Sequence, residues 1–95
     1  MKTHTIKITE KDIRTGQHNI ERNEGECAIG LAFARTFKKY KAAQWFFDRG
    51  RLDNKTALHT NRANKTKIAK FVDKHDSLKK VRPFNFEMFE VESVI

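Results

Sequence analysis

Cys27-Ala28-Ile29-Gly30-Leu31-Ala32-Phe33-Ala34-Arg35-Thr36-Phe37 sets an apolar side chain at every fourth position. Ile29, Phe33 and Phe37 share one face, and Cys27, Leu31 and Ala34 widen the stripe, so the spacing predicts an amphipathic helix lying on a core. Asn23, with Glu26 three residues later, resembles a capping box ahead of it. Lys38, Lys39 and Lys41 follow its end, where cations favour the helix dipole.

On the N-terminal side, Thr3 to Ile8 alternates strictly, with His4, Ile6 and Ile8 on one side and Thr3, Thr5 and Lys7 on the other. That period predicts a half-buried strand. Residues 10–16 read as a turn or a single helical turn ended by Gly16, and Gln17 to Glu24 as loop. On the C-terminal side, Ala43 to Phe47 predicts an aromatic strand. Asp48-Arg49-Gly50-Arg51 predicts its turn, Gly50 supplying a positive φ. Leu52 to Thr60 reads as a weaker strand interrupted by Asp53-Asn54-Lys55.

Asn64 can cap a second helix from Lys65 to His75, in which Ile68, Phe71, Val72 and His75 fall at i, i+3, i+4 and i+7. Leu78 extends that apolar stripe into the following loop. Pro83 breaks any helix and opens a last strand, Phe84 to Val91, with Phe84, Phe86 and Met88 on one face. The approximate order β-α-β-β-α-β predicts a small α+β domain, two helices packed on a mainly antiparallel sheet.

A chain of 95 residues is the size of one domain, here residues 1–95. With 38% apolar residues and eight Phe it is too aromatic for intrinsic disorder, although 34% is charged. Cys27 is the only cysteine, so no intramolecular disulfide forms, as suits a reducing cytoplasm. The stretch from Met1 to Lys7 lacks the apolar core of a signal peptide. No window approaches the roughly 20 apolar residues of a membrane span. The expectation is a cytoplasmic protein with no membrane association.

No residue pattern points to catalysis, a metal or a cofactor. The four His, at 4, 18, 59 and 75, lie far apart, and none pairs at the helical spacing of a metal site. His75 falls on an apolar stripe and reads as a buried, hydrogen-bonded side chain. Cys27 opens a helix, where the dipole would lower its pKa, but no base stands near it in sequence, and it reads as a core residue. Gly25 and Gly30 lack the Gly-Lys-Ser/Thr ending of a phosphate loop. The chain is therefore expected not to be an enzyme.

The charge is the informative feature. The net +8 is unevenly placed: residues 1–34 balance, residues 35–82 hold ten Lys and five Arg against four Asp, and residues 83–95 hold only Glu87, Glu90 and Glu92. Such a concentration bears on partners, and it points to an anion-binding face. Trp45 beside Arg49 and Arg51 suits base stacking with phosphate contact. Lys67, Lys70 and Lys74 form a row on the second helix, extended by Arg62 and Lys65 before it and by Lys79, Lys80 and Arg82 after it. Such contacts position a phosphate backbone without reading its sequence. With Lys38, Lys39 and Lys41 these make up the candidate interface. Nucleic acid, DNA or RNA, is the leading partner. A host protein and a nucleotide signal held in a basic pocket are the alternatives.

Ile8-Thr9-Glu10-Lys11-Asp12-Ile13-Arg14-Thr15-Gly16, Cys27-Ala28-Ile29-Gly30-Leu31-Ala32, Phe71-Val72-Asp73-Lys74-His75-Asp76 and Pro83-Phe84-Asn85-Phe86-Glu87 follow one another in that order. Together these four stretches resemble a group of small accessory proteins encoded by bacteriophages and prophages. Ala28 stands where that group has proline and Gly30 where it has alanine, and the basic middle is this chain's own. The resemblance implies a phage accessory protein acting in the host cytoplasm, of which anti-defence inhibitors of host proteins are one kind. It implies no catalytic residue.

Overall fold

The computed structural model describes residues 2–40, 43–46, 49–53 and 55–92. Its elements run β1 (Thr3–Ile8), α1 (Glu10–Glu21), α2 (Ala28–Thr36), β2 (Gln44–Phe46), β3 (Arg49–Arg51), β4 (Thr56–His59), α3 (Arg62–Asp76) and β5 (Phe84–Glu92). The strands form one sheet in the order β1-β5-β4-β3-β2, antiparallel at every pairing. The α+β class is as the sequence implies, with one helix and one strand more than the predicted order.

Alternation along the strands decides where the core sits, because successive side chains point to opposite faces. Ile6, Ile8, Leu58, Phe86 and Met88 share one face and are buried with Ile29, Ala32 and Phe33 of α2, its C-cap Phe37, and Ile68 and Phe71 of α3. Fully burying each such large side chain contributes about 1.5–3 kcal/mol. β5 is the spine of the sheet. It pairs with β1 on one side, Ile6 opposite Phe86, and with β4 on the other, Leu58 opposite Glu90. The sheet curls, and α2 touches both edge strands, β1 and β2.

The segment predicted as turn and loop is a helix of 12 residues, α1. A capping box starts it: the Thr9 hydroxyl accepts from the Asp12 N–H at 3.2 Å, and the Asp12 carboxylate accepts from the Thr9 N–H at 2.9 Å. Gly16 does not end this helix but lies in its middle, because a close approach needs it. A Cβ there would lie 2.4 Å from the Ala28 backbone nitrogen and 2.8 Å from Nε2 of His75. Asn23 does not cap α2. It closes α1 in the left-handed region at φ 55, its N–H donating to the Ile20 carbonyl while Glu24 N–H donates to that of Asn19. This is a Schellman ending, a role that asparagine takes after glycine. Cys27 is the N-cap of α2 and makes no side-chain cap bond.

Arg49, Gly50 and Arg51 form strand β3 rather than a turn, with Trp45 opposite Gly50 and Phe46 opposite Arg49. Residues 47 and 48 of the predicted strand and turn lie outside the described residues. Gly50 is buried in the strand, where a Cβ would meet the Phe33 ring at 2.7 Å. The Asp53 carboxylate accepts the N–H groups of Lys55 and Thr56 at 2.8 Å each and so turns β3 into β4. Asn54, part of the predicted interruption, lies outside the described residues.

Helix α3 starts three residues earlier than predicted, because Asn61 rather than Asn64 is its N-cap, its side chain accepting from the Asn64 N–H at 2.9 Å. It too ends in a Schellman arrangement, with Leu78 at φ 60, Leu78 N–H on the His75 carbonyl and Lys79 N–H on that of Lys74. Leu78 is 47% exposed, so the apolar stripe stops with the helix.

Gly16→Ala tests the close approach directly. Alanine favours a helix over glycine by about 1 kcal/mol. Overpacking, which costs roughly 1–3 kcal/mol and here sets Cβ against backbone, should outweigh it and lower the thermal midpoint. A raised midpoint contradicts the contact.

Asp12 ties three elements together. Arg35 Nη1 donates to its carboxylate at 2.5 Å, and Nη2 donates to the Lys7 carbonyl at 2.7 Å. Burial pushes the Asp12 carboxyl up, but the hydrogen bonds from Arg35 and Thr9 outweigh it and hold the group below its ordinary value of 3.8. A depressed carboxyl stabilises the fold above the ordinary value and loses that contribution as pH falls through the folded one. Urea midpoints followed from neutral pH into acid should therefore fall more steeply in the native chain than in Asp12→Asn. Equal slopes contradict the linkage.

Candidate nucleic-acid interface

The apolar stripe of α3 lies on β5 through aromatic contacts. His75 stacks on Phe71 with ring centroids 5.3 Å apart, Phe71 meets Phe84 at 4.8 Å, and Phe84 meets Phe86 at 5.9 Å. This packing fixes which side of α3 faces outward. Lys67, Lys70 and Lys74 recur on successive turns beside Phe71 and are exposed.

After the Leu78 reversal the chain returns along α3 to β5. Between the helix and residues 80–85 it leaves an open groove of about 1050 Å³. Phe71, Val81, Pro83 and Phe84 give it an apolar lining, and Lys67, Lys70, Lys74, Lys80 and Arg82 supply positive charge against a single carboxylate, Asp73. The groove is thus a cationic channel with an aromatic floor. Phosphates can meet its ammonium and guanidinium groups while flat apolar groups rest on Phe71 and Phe84.

The structure distributes the other residues singled out in the sequence. Lys79 is exposed at the groove's edge, its carbonyl taken by the Gln17 side chain at 2.8 Å. Arg62 and Lys65 occupy the first turn of α3 and do not line the groove. At 3.6 residues per turn they fall on another side of the helix from Lys67, Lys70 and Lys74, so they do not extend that row as predicted. Lys38 and Lys39 are exposed after α2, Lys39 Nζ sitting 5.2 Å from the Tyr40 ring centre. Lys41 lies outside the described residues. Arg49 and Arg51 flank the inward-facing Gly50 and so project from the far face of the sheet, away from α3. Trp45 points the other way and packs half-buried against the core, and is not an exposed stacking platform. The basic middle of the sequence is therefore not one face. Its concentrated part is the groove.

Lys80 and Arg82 of the groove's second wall were in the predicted set, but the uncharged part of that wall and the floor were not. Val81, Phe84 and Asn85 carry no charge signal, and only the packing of α3 on β5 brings them to the lysines.

His75 is buried as expected, 1% exposed, with Nδ1 3.1 Å from the Asp76 carboxylate. Cys27 is half-buried against the core. Burial pushes its thiol above the ordinary 9.0, against the lowering effect of the Gly30 and Ile29 N–H groups. The thiolate is the reactive form. Alkylation of Cys27 at mildly alkaline pH should therefore be slower in the folded chain than in urea, and equal rates contradict this environment.

Among the described residues no cluster of three His, Cys, Asp or Glu could hold a metal ion, and no helix is long and apolar enough to cross a membrane. No protein-family model, curated protein or solved structure matches the chain.

Proposed function

We propose that this chain is a non-enzymatic nucleic-acid-binding protein, an accessory protein of phage type, whose primary contact is the groove between α3 and residues 80–85. The observation that carries the reading is the composition of that groove: five cations, one carboxylate and an aromatic floor in an open channel. Lys67, Lys70 and Lys74 spread positive charge along roughly 10 Å of helix, which suits an extended polyanion better than a single phosphate. The contacts are to phosphate and sugar, so the binding is expected to be weakly dependent on sequence.

The test is fluorescence anisotropy of a labelled single strand of about 20 nucleotides and a matching duplex across a salt series. Neutralising about five phosphates gives a slope of log affinity against log salt near −4.5 on a duplex. Reversing Lys67, Lys70 and Lys74 together to Glu should abolish duplex binding and leave the thermal midpoint nearly unchanged, since all three are exposed. Unaltered binding by the triple variant removes the site from α3, and no binding by the native chain at low salt removes nucleic acid as the partner.

A further inference from the structure

The sheet has a second face, and the groove does not use it. Among the strand residues whose burial is described, every buried one, namely Ile6, Ile8, Gly50, Leu58, Phe86 and Met88, belongs to the helix-facing set. The described residues of the opposite set are all exposed or half-buried, so among the described residues nothing covers that side. Arg49, Arg51, His59 and Phe89 stand on it. Cross-strand register orders them: Arg49 is opposite His59, and His59 is opposite Phe89, so an Arg-His-Phe row crosses β3, β4 and β5. The adjacent row is Arg51, Ala57 and Val91.

The His59 and Phe89 ring centroids are 6.4 Å apart and inclined by 37°. They make a continuous π-surface with apolar flanks in Ala57 and Val91 and an arginine at the end of each row. Neither row holds a carboxylate. Among the described residues the nearest on this face, Glu87, is two residues along β5, opposite Thr5 of β1.

We propose that this face binds unpaired nucleotides, their bases stacking on His59 and Phe89 and their phosphates meeting Arg49 and Arg51. Base faces are available for stacking only in a single strand, because a duplex buries them in its own stack. A two-fold pairing of this face with its axis along the rows would set arginines near arginines, whereas an axis along the strands would set them over Phe89 and Val91 of a second copy, so light scattering is part of the test. The inference takes its class of polymer from the function proposed above, but it concerns a surface on the opposite side of the sheet from α3. It makes the protein prefer single strands over duplexes.

The experiment compares labelled single-strand and hairpin-duplex affinities for the native chain, Phe89→Ala, Phe89→Tyr and Arg51→Gln. Phe89→Ala should weaken single-strand binding by roughly five- to a hundred-fold while leaving the duplex unchanged, and Phe89→Tyr, which keeps a ring, should restore it. Arg51 is exposed, so Arg51→Gln keeps the test valid if Phe89→Ala unfolds. It should flatten the single-strand salt slope by about 0.7. Single-strand affinity unchanged in the folded variants, or an equal loss on the duplex, overturns the stacking face while the groove stands. A native dimer in light scattering that Phe89→Ala or Arg51→Gln dissolves assigns the face to a second copy and overturns it as well. A native chain that binds neither form overturns the nucleic-acid reading and this inference together.

Discussion

Three helices meet at Gly16 of α1, where the backbone of α2 and a side chain of α3 close on it. The space that a Cβ would fill is taken by the start of α2, at Ala28, and by the ring of His75 near the end of α3. Close packing leaves little freedom around such a point, so it sets the height and tilt of both helices against α1. The stacked run His75, Phe71, Phe84, Phe86 then carries α3 onto the central strand. With the apolar side of α3 committed in this way, Lys67, Lys70 and Lys74 have only the rim left to occupy. The Schellman ending at Leu78 returns the chain beside them, which brings Lys80 and Arg82 into the same groove. A glycine that a scan of the sequence takes for a stop is what places the basic groove.

The groove concentrates like charges on one side of a small domain. Such self-repulsion destabilises a compact state, and a bound polyanion relieves it. The apolar floor matters to the same balance, because charges beside low-dielectric surface interact more strongly than charges in open water. A polymer lying in the groove would gain from both. The open face of the sheet adds arginines and rings on the other side, so under the proposal a single strand would have two kinds of surface to engage and a duplex one.

Much of the fold was legible wherever local period and tertiary packing agree. The alternation of Thr3 to Ile8, the stripe of Ile29, Phe33 and Phe37, and the shared face of Phe84, Phe86 and Met88 each returned the right element. Helix α1 was missed because Gly16 carries a breaker signal, although Ile13, Gly16 and Ile20 keep helical spacing on its inner side. Strand β3 was missed because its one inward position is a glycine, and the apolar group filling that place is Phe33 from another element. The lysine row of α3 could be read because three exposed cations at i, i+3 and i+7 share a side of any helix. The charges of Lys80 and Arg82 were read as well, but not that they face the row across a groove, since nothing in residues 80–85 reveals that β5 lies under α3. Arg62 and Lys65 were assigned to the row by proximity in sequence, which helical geometry does not respect.

The most direct measurement is a titration of isotope-labelled protein with an unlabelled duplex oligonucleotide, following backbone amide and lysine side-chain resonances by NMR. The shifts should concentrate on Lys67, Lys70, Lys74 and residues 80–85, with the exposed side of α1 left unmoved. Shifts confined to α1, or spread evenly over every exposed lysine, would contradict a built nucleic-acid groove.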